Sequence, residues 1–166
     1  MKIVEGLKRL QSIEKKIKNN NKQITKYSSL INTERPHFDN QKEAVGNLLE
    51  TNKNLFEEYL SLKDQIDRTN NTVTVTIGSE TRTINQFLNI KRRMGKLLIE
   101  SYESLNDSYS EDRFSRFRGD DIHVVRFYDE NIKNQNIEYW SDILDQIDGA
   151  LEVANATVDI VEEKYD

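Results

Sequence analysis

Residues 68–83, RTNNTVTVTIGSETRT, depart from the helical pattern of the chain on either side. Valine and isoleucine alternate with threonine, a Gly-Ser pair follows at positions 78 and 79, and threonines then resume the alternation. β-Branched residues that alternate around a glycine-containing turn favour a β-hairpin, which we predict at residues 73–83. Two strands alone are marginally stable, so this hairpin needs a helix, a third strand or another subunit to pack against.

The rest of the chain is dominated by helical periodicity. Apolar residues recur every three or four positions, as in amphipathic helices that each bury one stripe. The predicted helices span residues 2–30, 40–67, 84–106 and 130–153. Pro36 separates the first two, which we expect to pair antiparallel across a short loop. The predicted fold class is mainly α, with long antiparallel helices, an inserted β-hairpin and one further short strand at residues 122–127, in a single domain spanning residues 1–166.

Polar residues mark particular helix positions. Thr83 and Gln86 form a capping-box pattern at the start of the third helix, and Asp129 is placed to cap the last one. Asn20 and Asn21 lie where the apolar stripe of the first helix would continue. They either fix the register of a helix pair or form a weak point that faces water.

Composition limits the classes of function. The 166 residues carry a formal net charge of −5, which argues against binding a nucleic-acid polymer or an anionic membrane surface. The chain has no cysteine, which excludes disulfides, thiol nucleophiles and thiolate metal sites. Neither a signal-peptide core nor a stretch long enough for a transmembrane helix is present in the sequence. We therefore expect an unexported, cytoplasmic protein.

The low apolar content also bears on assembly. Only 36% of the residues are hydrophobic, 32% are charged, and the mean hydropathy is −0.79. One apolar stripe per helix leaves little intramolecular core for each residue. We predict a homo-oligomer whose contacts include the hairpin or the long helices.

Residues 111–129, EDRFSRFRGDDIHVVRFYD, concentrate arginines and aromatic rings in an otherwise acidic chain. Guanidinium groups match phosphate or carboxylate, and rings stack on a base or a sugar. This mixture predicts a site for a small phosphorylated or nucleotide-like ligand, assembled where the two non-helical segments meet. The predicted ligand-binding residues are Arg113, Phe114, Arg116, Phe117, Arg118, His123 and Arg126, together with Arg68 and Arg82 from the hairpin region.

An alternative interpretation is that the arginines of this stretch form intramolecular or intersubunit salt bridges. The neighbouring acids that would accept them are Glu111, Asp112, Asp120, Asp121 and Asp129. Catalysis is not expected, because the two histidines lie outside any nucleophile-elbow pattern and no phosphate-binding glycine motif is present. Asp120 and Asp121 beside His123 supply too few ligands for a metal ion, so we expect no metal and no cofactor.

Three short blocks carry a resemblance to a known family. IDRTN at residues 66–70 and RTI at residues 82–84 are similar to its I-N-x-T-N block and G-R-T-L element. RFSR at residues 113–116 and DIHVV at residues 121–125 are similar to R-Y-S-R followed by E-I-K-x-V, and NATV at residues 155–158 is similar to N-W-x-T. The family is that of the septicolysin-like proteins, which are small, mainly helical bacterial and phage proteins. Ala156 replaces the closing tryptophan, and residues 117–120 read as an insertion.

The resemblance leaves three functional hypotheses open. The one we favour is non-enzymatic sequestration of a nucleotide-like ligand, for example a host nucleotide immune signal held by a phage protein, and the family block favours Arg113 and Arg116 for it. The family name implies a cytolysin, although the only alternating segment, residues 72–77, is shorter than a membrane-spanning strand. The third hypothesis is a purely structural assembly protein.

Overall fold

A computed structural model describes residues 1–117, 119 and 121–161. Its helices are α1 (Ile3–Tyr27), α2 (Gln41–Thr72), α3 (Ile84–Asn89), α4 (Gly95–Glu103), α5 (Ser108–Phe114) and α6 (Glu130–Thr157). The strands are β1 (Thr74–Ile77) and β2 (Glu80–Thr83), and a π-helical turn, Ile90–Met94, joins α3 to α4. The predicted class, mainly α with long helices and an inserted hairpin, is confirmed.

Several segments differ from the prediction: residues 68–72, expected to be non-helical, form the end of α2, and the π-helical turn interrupts the predicted third helix. The described residues between positions 121 and 129 contain no strand, so the further strand predicted at residues 122–127 is not observed. A lone strand needs a sheet edge, and β1 and β2 pair only with each other in the part of the chain that is described. Residues 108–114, which lie outside the predicted helices, form α5, whose first turn closes on the carbonyl oxygen of Asp107.

The chain divides into two compact units, Met1–Thr72 with Ala154–Asp166, and Val73–Val153. In the first unit α1 and α2 pair antiparallel, as predicted. Arg9 binds Glu58 through two parallel hydrogen bonds, Nε to Oε1 at 2.6 Å and Nη2 to Oε2 at 2.9 Å. Apolar side chains fill the space between the helices: Ile3, Leu10, Ile13, Leu55, Leu62 and Ile66. The prediction of one domain stays a prediction.

An asparagine network lies between α1 and α2. Asn20 is only 8% exposed, and its Nδ2 donates to Oδ1 of Asn52 at 2.8 Å. Nδ2 of Asn52 in turn donates to Oδ1 of Asn21 at 3.0 Å. Because these amides satisfy one another across the pair, a shifted register would leave a buried polar group unpaired. Of the two interpretations of the asparagines, the structure supports the one in which they fix register.

The C-terminal segment closes the first unit. The amide of Ile3 donates to the carbonyl oxygen of Val158 at 3.1 Å, and the amide of Ile160 donates to that of Met1 at 2.8 Å. The amide of Val161 donates to Oγ1 of the fully buried Thr69 at 2.9 Å. The segment therefore makes backbone hydrogen bonds with the residues at the start of α1 and a further bond to the Thr69 side chain near the end of α2.

In the second unit the hairpin packs on α6. Its two-residue turn places Ile77 opposite Glu80, and Gly78 has a φ of +59°, as the first position of a type II′ turn requires. A Cβ on Gly78 would lie 3.2 Å from Cδ1 of Ile143, so the turn sits close above that helix. The core of this unit comprises Ile77, Ile84, Phe87, Ile143, Ile147 and Leu151.

The predicted helix starts of the second unit are confirmed. Oγ1 of Thr83 accepts from the amide of Gln86 at 3.2 Å, and Oε1 of Gln86 accepts from the amide of Thr83 at 3.0 Å. Oδ1 of Asp129 accepts from the amides of Asn131 and Ile132 at 2.8 and 3.0 Å. Both caps satisfy donors that a helix N-terminus leaves unpaired.

Candidate functional site

A groove in the second unit runs between α5 and the loop that follows it. Its cavity volume is about 270 Å³. The lining residues, which we call the α5 groove, are Ser110, Arg113, Phe114, Phe117, Ile122, His123, Val124 and Val125. Four of the predicted ligand-binding residues therefore line one cavity: Arg113, Phe114, Phe117 and His123.

Arg113 is held by an aromatic neighbour one turn earlier on α5. Its guanidinium carbon lies 4.7 Å from the ring centroid of Tyr109, and its Nε donates to the Tyr109 carbonyl oxygen at 3.3 Å. The spacing of four residues puts both side chains on one helix face. The cation–π contact and the Nε hydrogen bond together hold the arginine side chain against α5.

Arg126 belongs to an adjacent cavity of about 260 Å³, which shares Ser110 and Val125 with the α5 groove. Its Nε and Nη2 both contact Oδ2 of Asp107, at 2.8 and 2.5 Å. This hydrogen bonding holds the pKa of the Asp107 carboxyl below its usual value and raises the pKa of Arg126. Arg126 is thus engaged in a salt bridge, as the alternative interpretation holds, although Asp107 is not among the acids that it named.

The two arginines that the sequence assigned to the hairpin region, Arg68 and Arg82, are also paired with carboxylates. Arg82 contacts Oε2 of Glu80 through Nε at 2.8 Å and Nη2 at 2.7 Å. The other carboxylate oxygen of Glu80 accepts from the Tyr139 hydroxyl at 3.2 Å, which ties β2 to α6. Arg68 lies in the first unit, within α2, and Nη2 contacts Oδ2 of Asp64 at 2.7 Å. Neither arginine lines the α5 groove.

Two further predicted residues remain. Arg116 is exposed just beyond α5 and does not line the groove. Arg118 lies outside the described residues. The structure therefore places Arg113 at the groove, and it places Arg116, Arg126, Arg82 and Arg68 elsewhere.

Sequence reasoning missed Ser110, which lines the groove, and Tyr109, which contacts Arg113, because the role of both depends on the formation of α5. Both residues lie outside the helices that the sequence predicted, so their helical spacing to Arg113 could not be used. The one available signal was the spacing of Tyr109 and Arg113, four positions apart, which suits a cation–π pair only in a helix.

A second aromatic cluster lies in the first unit, at the loop between α1 and α2. His37 stacks on Tyr27 with ring centroids 4.9 Å apart, and Phe38 meets both rings edge-on. Gln41 fastens this loop: its Nε2 donates to the Tyr27 carbonyl oxygen at 3.0 Å, and its Oε1 accepts from the His37 amide at 2.9 Å. His37 therefore has a structural role in the loop.

In the described ranges, no group of three or more histidine and carboxylate side chains converges as a metal site would require. Asp120, which the sequence placed beside His123, lies outside those ranges. Among the helices that the structure describes, none is both long and apolar enough to cross a membrane.

The fold has a counterpart among solved structures. The crystal structure of a functionally unknown conserved protein from Corynebacterium diphtheriae matches with a TM-score of 0.57 at 16% sequence identity, over 97% of this chain and 99% of that chain. At this identity the likeness extends to the fold alone. No protein-family model matches the chain. A search of curated proteins also finds no match.

Proposed function

We propose that the protein is a non-enzymatic, homo-oligomeric binding protein that sequesters a small anionic, nucleotide-like ligand in the α5 groove. The observation that carries the proposal is the convergence of Arg113, His123, Phe114 and Phe117 on one cavity. A guanidinium and an imidazole can donate to phosphate oxygens, and two phenyl rings offer stacking surfaces for a base. We further propose that the protein acts in the cytoplasm and that it is a septicolysin-like protein.

The volume of the groove limits the size of the ligand. Its volume of about 270 Å³ lies just under the roughly 300–1,000 Å³ of ordinary ligand pockets. The groove alone suits one ring with one phosphate better than a whole dinucleotide. A larger nucleotide would extend beyond the groove, and a second subunit covering its open side would supply the remaining contacts.

The test is calorimetry with AMP, ATP and a cyclic dinucleotide as probes, after the absorbance of the purified protein has been checked for a co-purified nucleotide. One charge-assisted hydrogen bond is worth roughly 1.5–3 kcal/mol, so Arg113→Gln should weaken binding about ten- to a hundredfold. Arg116→Gln is the matched control. It removes the same charge three residues further along the chain, and the Arg116 side chain does not line the groove.

The outcomes separate clearly. Weaker binding by the Arg113 variant, with helix content by circular dichroism unchanged and the Arg116 variant unaffected, supports the proposal. Equal losses in both variants would indicate a diffuse charge effect. No heat with any probe and no ultraviolet-absorbing molecule in the purified protein would overturn it.

A structural assembly role is the second candidate, because large apolar side chains are exposed in and after α5. Phe127 is 97% exposed, and Tyr109, Phe117 and Val125 are also well exposed. Exposed apolar clusters of this kind mark interaction sites. Loss of self-association on Phe127→Ser, in a protein that binds none of the nucleotide probes, would favour assembly over sequestration.

A further inference from the structure

One face of α2 carries large apolar side chains that the first unit does not bury. Leu49, Phe56 and Leu60 are 55%, 52% and 47% exposed. Their spacing of seven and four residues places them on one stripe of the helix. At 100° per residue this stripe lies roughly 130° around α2 from the buried residues that contact α1. We call the stripe the α2 outer face.

Charged residues complete the α2 outer face. Lys53 lies between Leu49 and Phe56, and the same stripe reaches Lys42 near the start of the helix and Asp67 near its end. Gly46 borders it, and a Cβ at that position would meet nothing within 4 Å. The described residues therefore leave the space beside Gly46 open, and another helix can approach α2 closely there.

The order of residues along this face is complementary to itself in the antiparallel direction. A two-fold axis between positions 54 and 55 places Leu49 opposite Leu60, and Lys53 opposite the ring of Phe56. The same operation places Lys42 opposite Asp67, which already pairs with Lys63 inside its own helix. Parallel, in-register pairing would instead set each lysine against its own copy.

From this symmetry we infer that the α2 outer face is an interface with a second copy of this chain, in which the two α2 helices pair antiparallel. Leucine contacts and a lysine–phenylalanine cation–π contact form its centre, and opposite charges meet at its two ends. The inference rests on the homo-oligomer in the proposed function and assigns its surface. It does not depend on what the α5 groove binds.

Cysteine cross-linking tests the register, and the natural chain has no cysteine to interfere. Leu49→Cys and Leu60→Cys proteins, mixed and oxidised, should form a disulfide-linked heterodimer. Each variant alone should stay uncross-linked, because antiparallel pairing separates its two identical thiols by about 16 Å along the helix axis, beyond the roughly 7 Å that a disulfide spans. Cross-linked homodimers of a single variant, or no heterodimer in the mixture, would overturn the inference.

Light scattering of full-length variants tests the face itself. Phe56→Lys should convert the dimer to monomer at micromolar concentration, because it removes the ring at the centre of the interface and sets a second lysine against Lys53 of the other copy. Ile132→Lys is the matched control, since Ile132 is also exposed, at 59%, but lies on α6. A dimer that survives Phe56→Lys contradicts this interface while leaving the homo-oligomer intact, whereas a monomeric natural protein contradicts both. Nucleotide binding, measured on the same samples, reports on the α5 groove separately.

Discussion

Gly95 and Gly149 are both helical residues of the second unit, but their surroundings differ. A Cβ at Gly95 would lie 2.7 Å from Cδ2 of Leu144 and 3.0 Å from the carbonyl oxygen of Ile90. The Ile90 oxygen belongs to the backbone of the π-helical turn and cannot rotate away as a side chain can. A Cβ at Gly149 would meet nothing within 4 Å. Of these two glycines, only Gly95 is required by packing to lack a side chain.

Alanine substitutions should consequently change stability in opposite directions. Gly95→Ala should lower the free energy of unfolding by about 1–3 kcal/mol, as overpacking does. Gly149→Ala should raise it by about 0.5–1 kcal/mol, because alanine favours the helix and nothing obstructs it. Urea denaturation followed by circular dichroism measures both. If Gly95→Ala were as stabilising as Gly149→Ala, the close approach of α4 to α6 would be wrong.

The sequence alone could not separate these two glycines, because their difference arises from residues distant in the chain. It did identify the caps at Thr83 and Asp129, since a capping bond depends only on neighbours two or three positions away. Asn20 could be interpreted only in part from the sequence. Its place in the apolar stripe was visible, but its partner Asn52 is 32 positions distant and became evident only once α1 and α2 were paired.

At the scale of elements, the pairing of α1 with α2 includes one surface contact that responds to pH. The two hydrogen bonds from Arg9 hold the pKa of the Glu58 carboxyl below its ordinary value. A lowered folded-state pKa means that the unfolded chain takes up a proton first as the solution is acidified. The contact therefore stabilises the folded state above the unfolded pKa of about 4.3 and is lost as pH falls through the lower folded value.

Glu58→Gln should accordingly lower the melting temperature at neutral pH, and the difference from the natural protein should shrink as the pH falls below about 4.3. The effect should be small and should weaken in salt, because both side chains are partly exposed. Glu57→Gln is the control, because it removes one carboxylate from the same exposed turn of α2 and leaves the Arg9–Glu58 contact in place. A Glu58 difference that stays constant from neutral to acid pH would contradict the assignment.

The β-hairpin and the segment between α4 and α6 show why some elements could be predicted from the sequence and others could not. The hairpin at residues 73–83 contains its own partner strand and its own turn, so the local pattern was sufficient. The strand expected at residues 122–127 needed an edge from elsewhere, and residues 108–114 gained a helix that their polar composition concealed. These differences also changed which of the predicted residues line the candidate site. Arg126 is paired with Asp107, 19 positions away, whereas Arg113 lines the groove beside two of the phenylalanines.

At the scale of the whole molecule, the two units can be observed by different probes. The first unit is closed by Ile160, which is buried and packs on Gly6: a Cβ added there would lie 2.5 Å from Cδ1 of Ile160 and 3.1 Å from that of Ile66. The only tryptophan of the chain, Trp140, lies in the second unit. Its fluorescence reports on that unit, whereas far-ultraviolet circular dichroism reports on the helices of both.

Ile160→Ala should therefore destabilise the first unit selectively. Loss of a buried isoleucine side chain costs about 2–5 kcal/mol, and the residues that lose contacts belong to α1 and α2. We expect the urea transition seen by circular dichroism to broaden and to begin at lower denaturant, while the Trp140 midpoint stays unchanged. Val161→Ala is the control, because Val161 is exposed and its backbone bond to Thr69 survives. If both probes moved together by the same amount, the units would unfold as one cooperative domain, as the sequence predicted.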